Sequence, residues 1–176
     1  MSRASLFRAW LKDDRGTSGV EFMLLFPIAF ALLLATADIG EALWLQRKLL
    51  SATQSVGDLL AREEALNAAK VDSAVLGAEL ILQPFERSGL AYDVMGIRFD
   101  PNHGRPAVSW RKTRNMTPDG RFPTIATGLG ARGEGVIGVV MTYTFRARFA
   151  GGLIGDIDMV ETAILRGRKV PLIPYT

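Results

Sequence analysis

Residues with the means to do chemistry are few in this 176-residue chain, and their spacing argues against most of the chemistry they suggest. No cysteine is present, which excludes a thiol nucleophile, a thiolate metal site and a disulfide framework, and leaves the redox compartment open. His103, the one histidine, lies between Asn102 and Gly104 in a run of turn formers, without a second imidazole to share a metal, and reads as an exposed turn residue. Gly128-Leu-Gly130-Ala-Arg-Gly133 spells GxGxxG, the dinucleotide pattern. That chemistry needs a strand before the glycines and a helix after them, so that pyrophosphate meets a helix N-terminus. A strand pattern follows here and a loop with Pro118 and Pro123 precedes, so a flexible loop is expected. Glu63-Glu64 and Asp156 with Asp158 are paired carboxylates, but they fall at helix ends or turns and nothing places them around a pocket. Arg111, Lys112 and Arg114, and again Arg166, Arg168 and Lys169, form small basic clusters, expected to serve solubility and contacts with acidic headgroups or neighbouring subunits. They lack the interleaved aromatics that stack on single-stranded nucleic acid. No nucleophile and base can be named, so no enzyme, cofactor or metal is expected.

The elements that carry these residues are dominated by one segment. At 48% hydrophobic and 22% charged residues, the chain is too apolar for a disordered tail and too short for more than one sizeable domain. Of 21 Lys and Arg against 18 Asp and Glu, Arg3, Arg8, Lys12 and Arg15 with Asp13 and Asp14 fall in residues 1–16, leaving a nearly neutral body. Phe22 to Ala37 is a run of 16 uncharged residues between Glu21 and Asp38. As a helix it is about 24 Å long, somewhat short of the ~30 Å hydrocarbon core of a bilayer. Ala42-Leu43-Trp44-Leu45 resumes the apolar character, with Asp38 and Glu41 as interruptions on one helical face. A single membrane-inserted helix is the economical reading, against the buried core helix of a soluble protein. The basic flank places the N-terminus in the cytoplasm and residues 46–176 across the membrane. Ala35-Thr36-Ala37 would suit signal-peptide cleavage, but the leader would be long and the helical pattern runs through the cut.

Residues 15–22, Arg-Gly-Thr-Ser-Gly-Val-Glu-Phe, support a different processing event. A short charged leader ending at Gly16, then Glu21 and Phe22 before an unbroken apolar run, resembles the type IV pilin class of leader. More narrowly, Gly16, Glu21, Phe22, Pro27, Asp38, Gly40, Leu43 and Trp44 resemble the start of TadE-like minor pilins (pseudopilins) of the Tad/Flp pilus. The segment MTYTFRARFAGGLIGDIDMVETAILRGRKVP is similar to that family's closing hairpin, while residues 65–134 carry no such likeness. The resemblance implies that a membrane-embedded prepilin peptidase cuts after Gly16, removing residues 1–16 as a cytoplasmic leader and exposing the α-amino group of Thr17. Residues 17–45 would then be the transmembrane half of a long helix, and residues 46–176 a periplasmic pilin-like head. It further implies a subunit of the bacterial inner membrane and, once assembled, of the extracellular pilus, with a part in adhesion. The implied partners are the prepilin peptidase, other minor pilins, the major pilin, the inner-membrane assembly platform and membrane lipid, with no nucleic acid. Glu21 stands one helical turn from the new amine, and pairing two charges that each cost several kcal/mol to bury offsets much of that cost. Some relatives carry head disulfides, which this chain lacks. The alternative is a bitopic anchor whose periplasmic domain binds a partner without being cleaved or assembled. A secreted enzyme released after Ala37 is a third class.

The remaining pattern predicts an α+β fold, a long helix laid on a small antiparallel sheet. Leu45, Leu49, Ala52, Val56 and Leu60 recur at helical spacing, extending the first helix from about Thr17 to Glu64, with Pro27 expected to kink or loosen it. A second helix is expected from a cap at Asp72 or Ser73 to Leu82. Met95, Ile97 and Phe99 then share one strand face, Val108 and Trp110 another. A strand Val136 to Phe149 is expected to present Ile137, Val139, Met141, Tyr143, Phe145, Ala147 and Phe149 on one side and Thr142, Thr144, Arg146 and Arg148 on the other. A turn at Ala150-Gly151-Gly152 leads to a last strand, Met159 to Arg168, with Val160, Thr162 and Ile164 on one face.

Overall fold

The structure is a computed structural model that describes residues 17–118 and 120–176. Helix α1 runs unbroken from Thr17 to Ala61, through Pro27, a length of about 68 Å at ~1.5 Å per residue. Its second half buries Ala42, Leu45, Leu49, Ala52, Val56 and Leu60, a stripe at three- and four-residue spacing. Helix α2, Ala68–Ile81, begins four residues before the expected Asp72 because Asn67 supplies the cap: its side-chain oxygen accepts the Lys70 N–H at 2.9 Å. Asp72 is thereby free to pair with Lys112 at 2.5 Å. The far end of α2 is held by α1, where Lys48 Nζ donates to the carbonyls of Ile81 and Gln83 at 2.9 and 2.7 Å. The Ile81 carbonyl is one that a helix end leaves without an internal donor, and Gln83 lies just beyond the cap.

Four antiparallel strands follow: β1, Leu90–Phe99; β2, Pro106–Arg114; β3, Gly135–Arg146; and β4, Asp156–Arg166; they lie side by side as β2-β1-β3-β4. One face carries Leu90, Tyr92, Val94, Ile137, Val139, Met141, Tyr143 and Phe145 onto α1 and α2. The other face is covered too. Met95, Ile97, Phe99, Val136 and Val140 pack under Phe122 and Ala126, supplied by the short helix α3, Phe122–Ile125, and the residue after it. Central strands buried on both faces lose simple alternation, which is why β1 begins at Leu90 rather than near Met95.

Three strand expectations change for local reasons. Val108 and Trp110 do not share a face, because the register slips by one residue where Gly96 opposes Trp110 and Ile97 opposes Val108. The resulting bulge at Ser109, whose hydroxyl donates to the Gly96 carbonyl at 3.0 Å, turns Val108 to the smaller core and Trp110 to the larger one. Gly96 is required there, since a Cβ would overlap the Trp110 indole. β3 ends at Arg146, not Phe149, since the amides of residues 148–150 are drawn to α1, and Phe149 is exposed. A four-residue helix α4, Gly151–Ile154, replaces the expected turn, and β4 starts at Asp156 and ends at Arg166.

Candidate functional site

The surface that needs a function is the first half of α1. From Gly19 to Ala37 every side chain is exposed apart from the half-exposed Leu34 and Ala35, although the segment is nearly all apolar. Met23 is 75% exposed, and Phe22, Phe26 and Phe30 form a ladder at one-turn spacing with ring centroids 5.6 and 5.7 Å apart. Thr36 satisfies its own hydroxyl by donating to the Leu32 carbonyl at 2.8 Å. By length and composition this helix can cross a membrane. An apolar surface of this extent is stable only in lipid or against other apolar surfaces. Glu21 and Phe22 lie exposed in its first turns, Pro27 within its wall, and Thr17 is its first residue. Gly16 lies outside the described residues, as do all of residues 1–16, the expected leader.

The helix enters the head through a junction that the sequence does not announce. Asp38, the first charge after the apolar run, is 1% exposed. Its carboxylate accepts the backbone N–H groups of Arg148, Phe149 and Ala150 at 3.1, 2.9 and 2.6 Å, from 110 to 112 residues away. A carboxylate taken out of water is tolerable when donors surround it, and charged acceptors make the stronger hydrogen bonds. Arg148 also brings its guanidinium within 3.8 Å of Glu41, one turn further along α1. The available signal for this clasp was a lone carboxylate in an apolar helix together with a Gly-Gly turn, but neither tells which meets which.

Beside the junction an open groove of about 820 Å³ is lined by Glu41, Phe85, Glu86, Asn115, Tyr143 and Arg148, among others. Tyr143 donates its hydroxyl to the Glu86 carbonyl at 3.0 Å, and burial pushes its phenol above the ordinary value. Phe85 sits edge-on to both Tyr143 and Trp44. The groove gathers packing and backbone contacts, not a nucleophile with a base.

The other sequence candidates are structural. His103 is exposed in its turn, with Nδ1 2.9 Å from Asp100, and this contact with two backbone amides holds the Asp100 carboxyl below its usual range. Residues 128–133 form the approach to β3, with no helix after them; Gly128 and Gly133 adopt positive φ and the Gly133 N–H donates to the Phe99 carbonyl. Glu63 pairs with Lys70 at 2.5 Å and Glu64 with Lys169 at 3.2 Å. Asp156 lies 3.8 Å from Arg146, and Asp158 accepts from Thr144 at 2.7 Å. The first basic cluster is partly buried and the second is exposed, and both have partners within the chain. Arg111 pairs with the fully buried Asp93 at 3.1 Å, Lys112 with Asp72, and Arg114 with Glu79 at 2.5 Å. Arg166 donates to the Leu129 carbonyl, Arg168 pairs with Asp58, and Lys169 reaches Glu64. Among the described residues no group of His, Cys, Asp and Glu is placed to hold a metal ion.

Residues 16–57, the exposed half of α1 and most of the half seated on the sheet, match the family described as TadE-like protein. No curated protein and no solved structure matches the chain.

Proposed function

Taking as premise a chain that is TadE-like over residues 16–57, of the Tad pilus system, we propose that it is a minor pilin, a structural and non-enzymatic subunit that takes part in assembly or initiation of a Tad (Flp) pilus. The observation that carries this is the division of α1: one continuous helix seats the buried stripe Ala42 to Leu60 on a folded head over its second half and is left apolar and exposed over its first. Such a helix has two compatible surroundings, a bilayer before assembly and a bundle of like helices afterwards. Burial of apolar area is similar in magnitude in both, so close packing and charge pairing decide the exchange. Ala29, Ala31, Ala35 and Ala37 supply small side chains for close approach. Cleavage after Gly16 by a prepilin peptidase leaves an amine on Thr17, and Glu21 stands one turn away to neutralise it within a subunit or between neighbours. The subunit sits in the inner membrane with its N-terminus cytoplasmic and its head periplasmic, and it meets the other minor pilins, the major pilin and the assembly platform there.

The test is the N-terminus of the protein isolated from membranes, by intact mass, in cells with and without their prepilin peptidase. A peptidase-dependent start at Thr17 supports the proposal. A start at Met1 in both cells favours an unprocessed bitopic anchor, and a start at Asp38 means a secreted domain; either overturns it.

A further inference from the structure

The junction carries more than a structural clasp. Because Asp38 binds three consecutive amides, residues 148–150 are fixed beside the helix directly after the uncharged run Phe22–Ala37. That run is about 6 Å shorter than the ~30 Å hydrocarbon core it has to cross. If Glu21 marks the inner boundary, the outer boundary falls about four residues beyond Ala37, near Glu41. The β3–α4 loop then lies where the acyl chains meet the lipid headgroups, not above them.

Its side chains suit that layer. Phe149 is 57% exposed although it is a large apolar ring at the tip of the loop. Arg146 and Arg148 precede it with side chains 83% and 71% exposed, and their carboxylate partners Asp156 and Glu41 stand 3.8 Å away, too far for a tight pair. On α1 itself the apolar surface continues past Asp38 through the exposed Ile39, Leu43 and Trp44. An exposed aromatic ring preceded by two exposed arginines, together with the exposed Trp44 on the helix, is the composition of a membrane–water interface. Unlike Arg111, Lys112 and Arg114, which are partly buried, Arg146 and Arg148 stand exposed to the surroundings of the head.

We infer that the Arg146–Phe149 segment is a second membrane contact of this subunit: Phe149 seats at the boundary between headgroups and acyl chains, and Arg146 and Arg148 engage the phosphates of anionic headgroups. The inference rests on the reading of α1 as membrane-inserted. Its effect is to hold the head against the bilayer at a fixed height until the subunit is extracted, when the loop is released together with the helix.

The absence of cysteine makes the test direct. Nitroxide labels are placed one at a time on the full chain through Phe149→Cys, Ile28→Cys and Leu129→Cys, and the chain is reconstituted in vesicles of phosphatidylcholine and phosphatidylglycerol at 7:3. Collision with oxygen and with a water-soluble nickel chelate then reports depth. The label at residue 28 is expected deep in lipid, the one at 129 in water, and the one at 149 about 5–10 Å inside the headgroup boundary. In pure phosphatidylcholine the label at 149 is expected to become shallower. A label at 28 in lipid with 149 as water-accessible as 129 overturns the inference while leaving the membrane helix in place. A label at 28 in water overturns the membrane reading itself. Equal depth at 149 in both lipids removes the arginines from the contact and overturns their part.

Discussion

Replacing Asp38 is the sharpest perturbation of this architecture, because a single carboxylate couples the helix to a loop 110 residues later. In Asp38→Ala, three N–H groups lose their acceptor. Those of Arg148 and Phe149 are only partly buried and can find water or headgroup oxygens, whereas the Ala150 N–H is buried and cannot. A buried donor left without a partner costs about 1–3 kcal/mol, and hydrogen bonds to a charged acceptor contribute about 1.5–3 kcal/mol each. With two of the three compensated by solvent, the local loss comes to about 2–4 kcal/mol. Asp38→Asn keeps an oxygen where Phe149 and Ala150 donate, but turns an NH2 toward the Arg148 N–H, so about half of that loss is expected. Hydrogen–deuterium exchange of peptides spanning 146–155, with the chain in detergent micelles, reads the effect where it occurs. Exchange at residues 148–150 should accelerate about 30- to 700-fold in Asp38→Ala and less in Asp38→Asn, at ~1.4 kcal/mol per tenfold. Peptides from the centre of β3 should stay protected. Unchanged exchange at 148–150 in Asp38→Ala would show that the loop holds itself in place, and the clasp would lose its role.

Three further outcomes are expected. Asp93→Ala leaves Arg111 without its fully buried carboxylate and should cost about 3–5 kcal/mol in urea unfolding of the head, and a change below about 1 kcal/mol would mean that water already reaches the pair. The hydrogen bond and charge of Lys70 hold the Glu63 carboxyl below its usual range, so its contribution is present above the usual glutamate pKa and disappears as pH falls through the lowered one. Glu63→Gln should therefore be less stable than the parent at pH 7 and equal to it at strongly acidic pH, and a gap that persists in acid would point to packing instead. Glu21→Ala should insert in the membrane and be cleaved as before, yet give fewer pili in electron micrographs; wild-type piliation in that variant would remove the pairing of Glu21 with the Thr17 amine from the assembly mechanism.

The parts legible in the sequence were those set by local pattern. An uncharged apolar run joined to a stripe at Leu45, Leu49, Ala52, Val56 and Leu60 predicts one helix with two environments, and α1 has them. The strand identities and the antiparallel α+β class also follow from period, since Ile137 to Phe145 alternate toward the helices. Long-range choices were not legible. Asn67 supplies the cap, and Asp72, inside the helix, pairs with Lys112. A single extra residue at Ser109 reversed the faces of Val108 and Trp110, and hydrophobic pattern carries no mark of such a slip. The second core under Phe122 was hidden because a four-residue helix has no periodicity to detect. Of the candidate site, the exposed helix was readable and its junction was not: Asp38 looked like an interruption of a span, and its three donors lie where the strand was expected to continue.

Continuity of α1 has a geometric consequence. Because α1 stays one helix from the phenylalanine ladder to the first residues seated on the sheet, Gly40 included, the two halves are phased like marks on a single shaft. Inserting or deleting one residue between Phe30 and Asp38 would turn the head by about 100° and shift it by ~1.5 Å relative to that ladder, with no side chain in the head altered. A full-turn insertion of about four residues would nearly restore the azimuth while lifting the head by ~6 Å. The direction in which the head faces, in the bilayer and afterwards among neighbouring shafts, is thus encoded by a residue count in a stretch that otherwise reads as featureless apolar sequence.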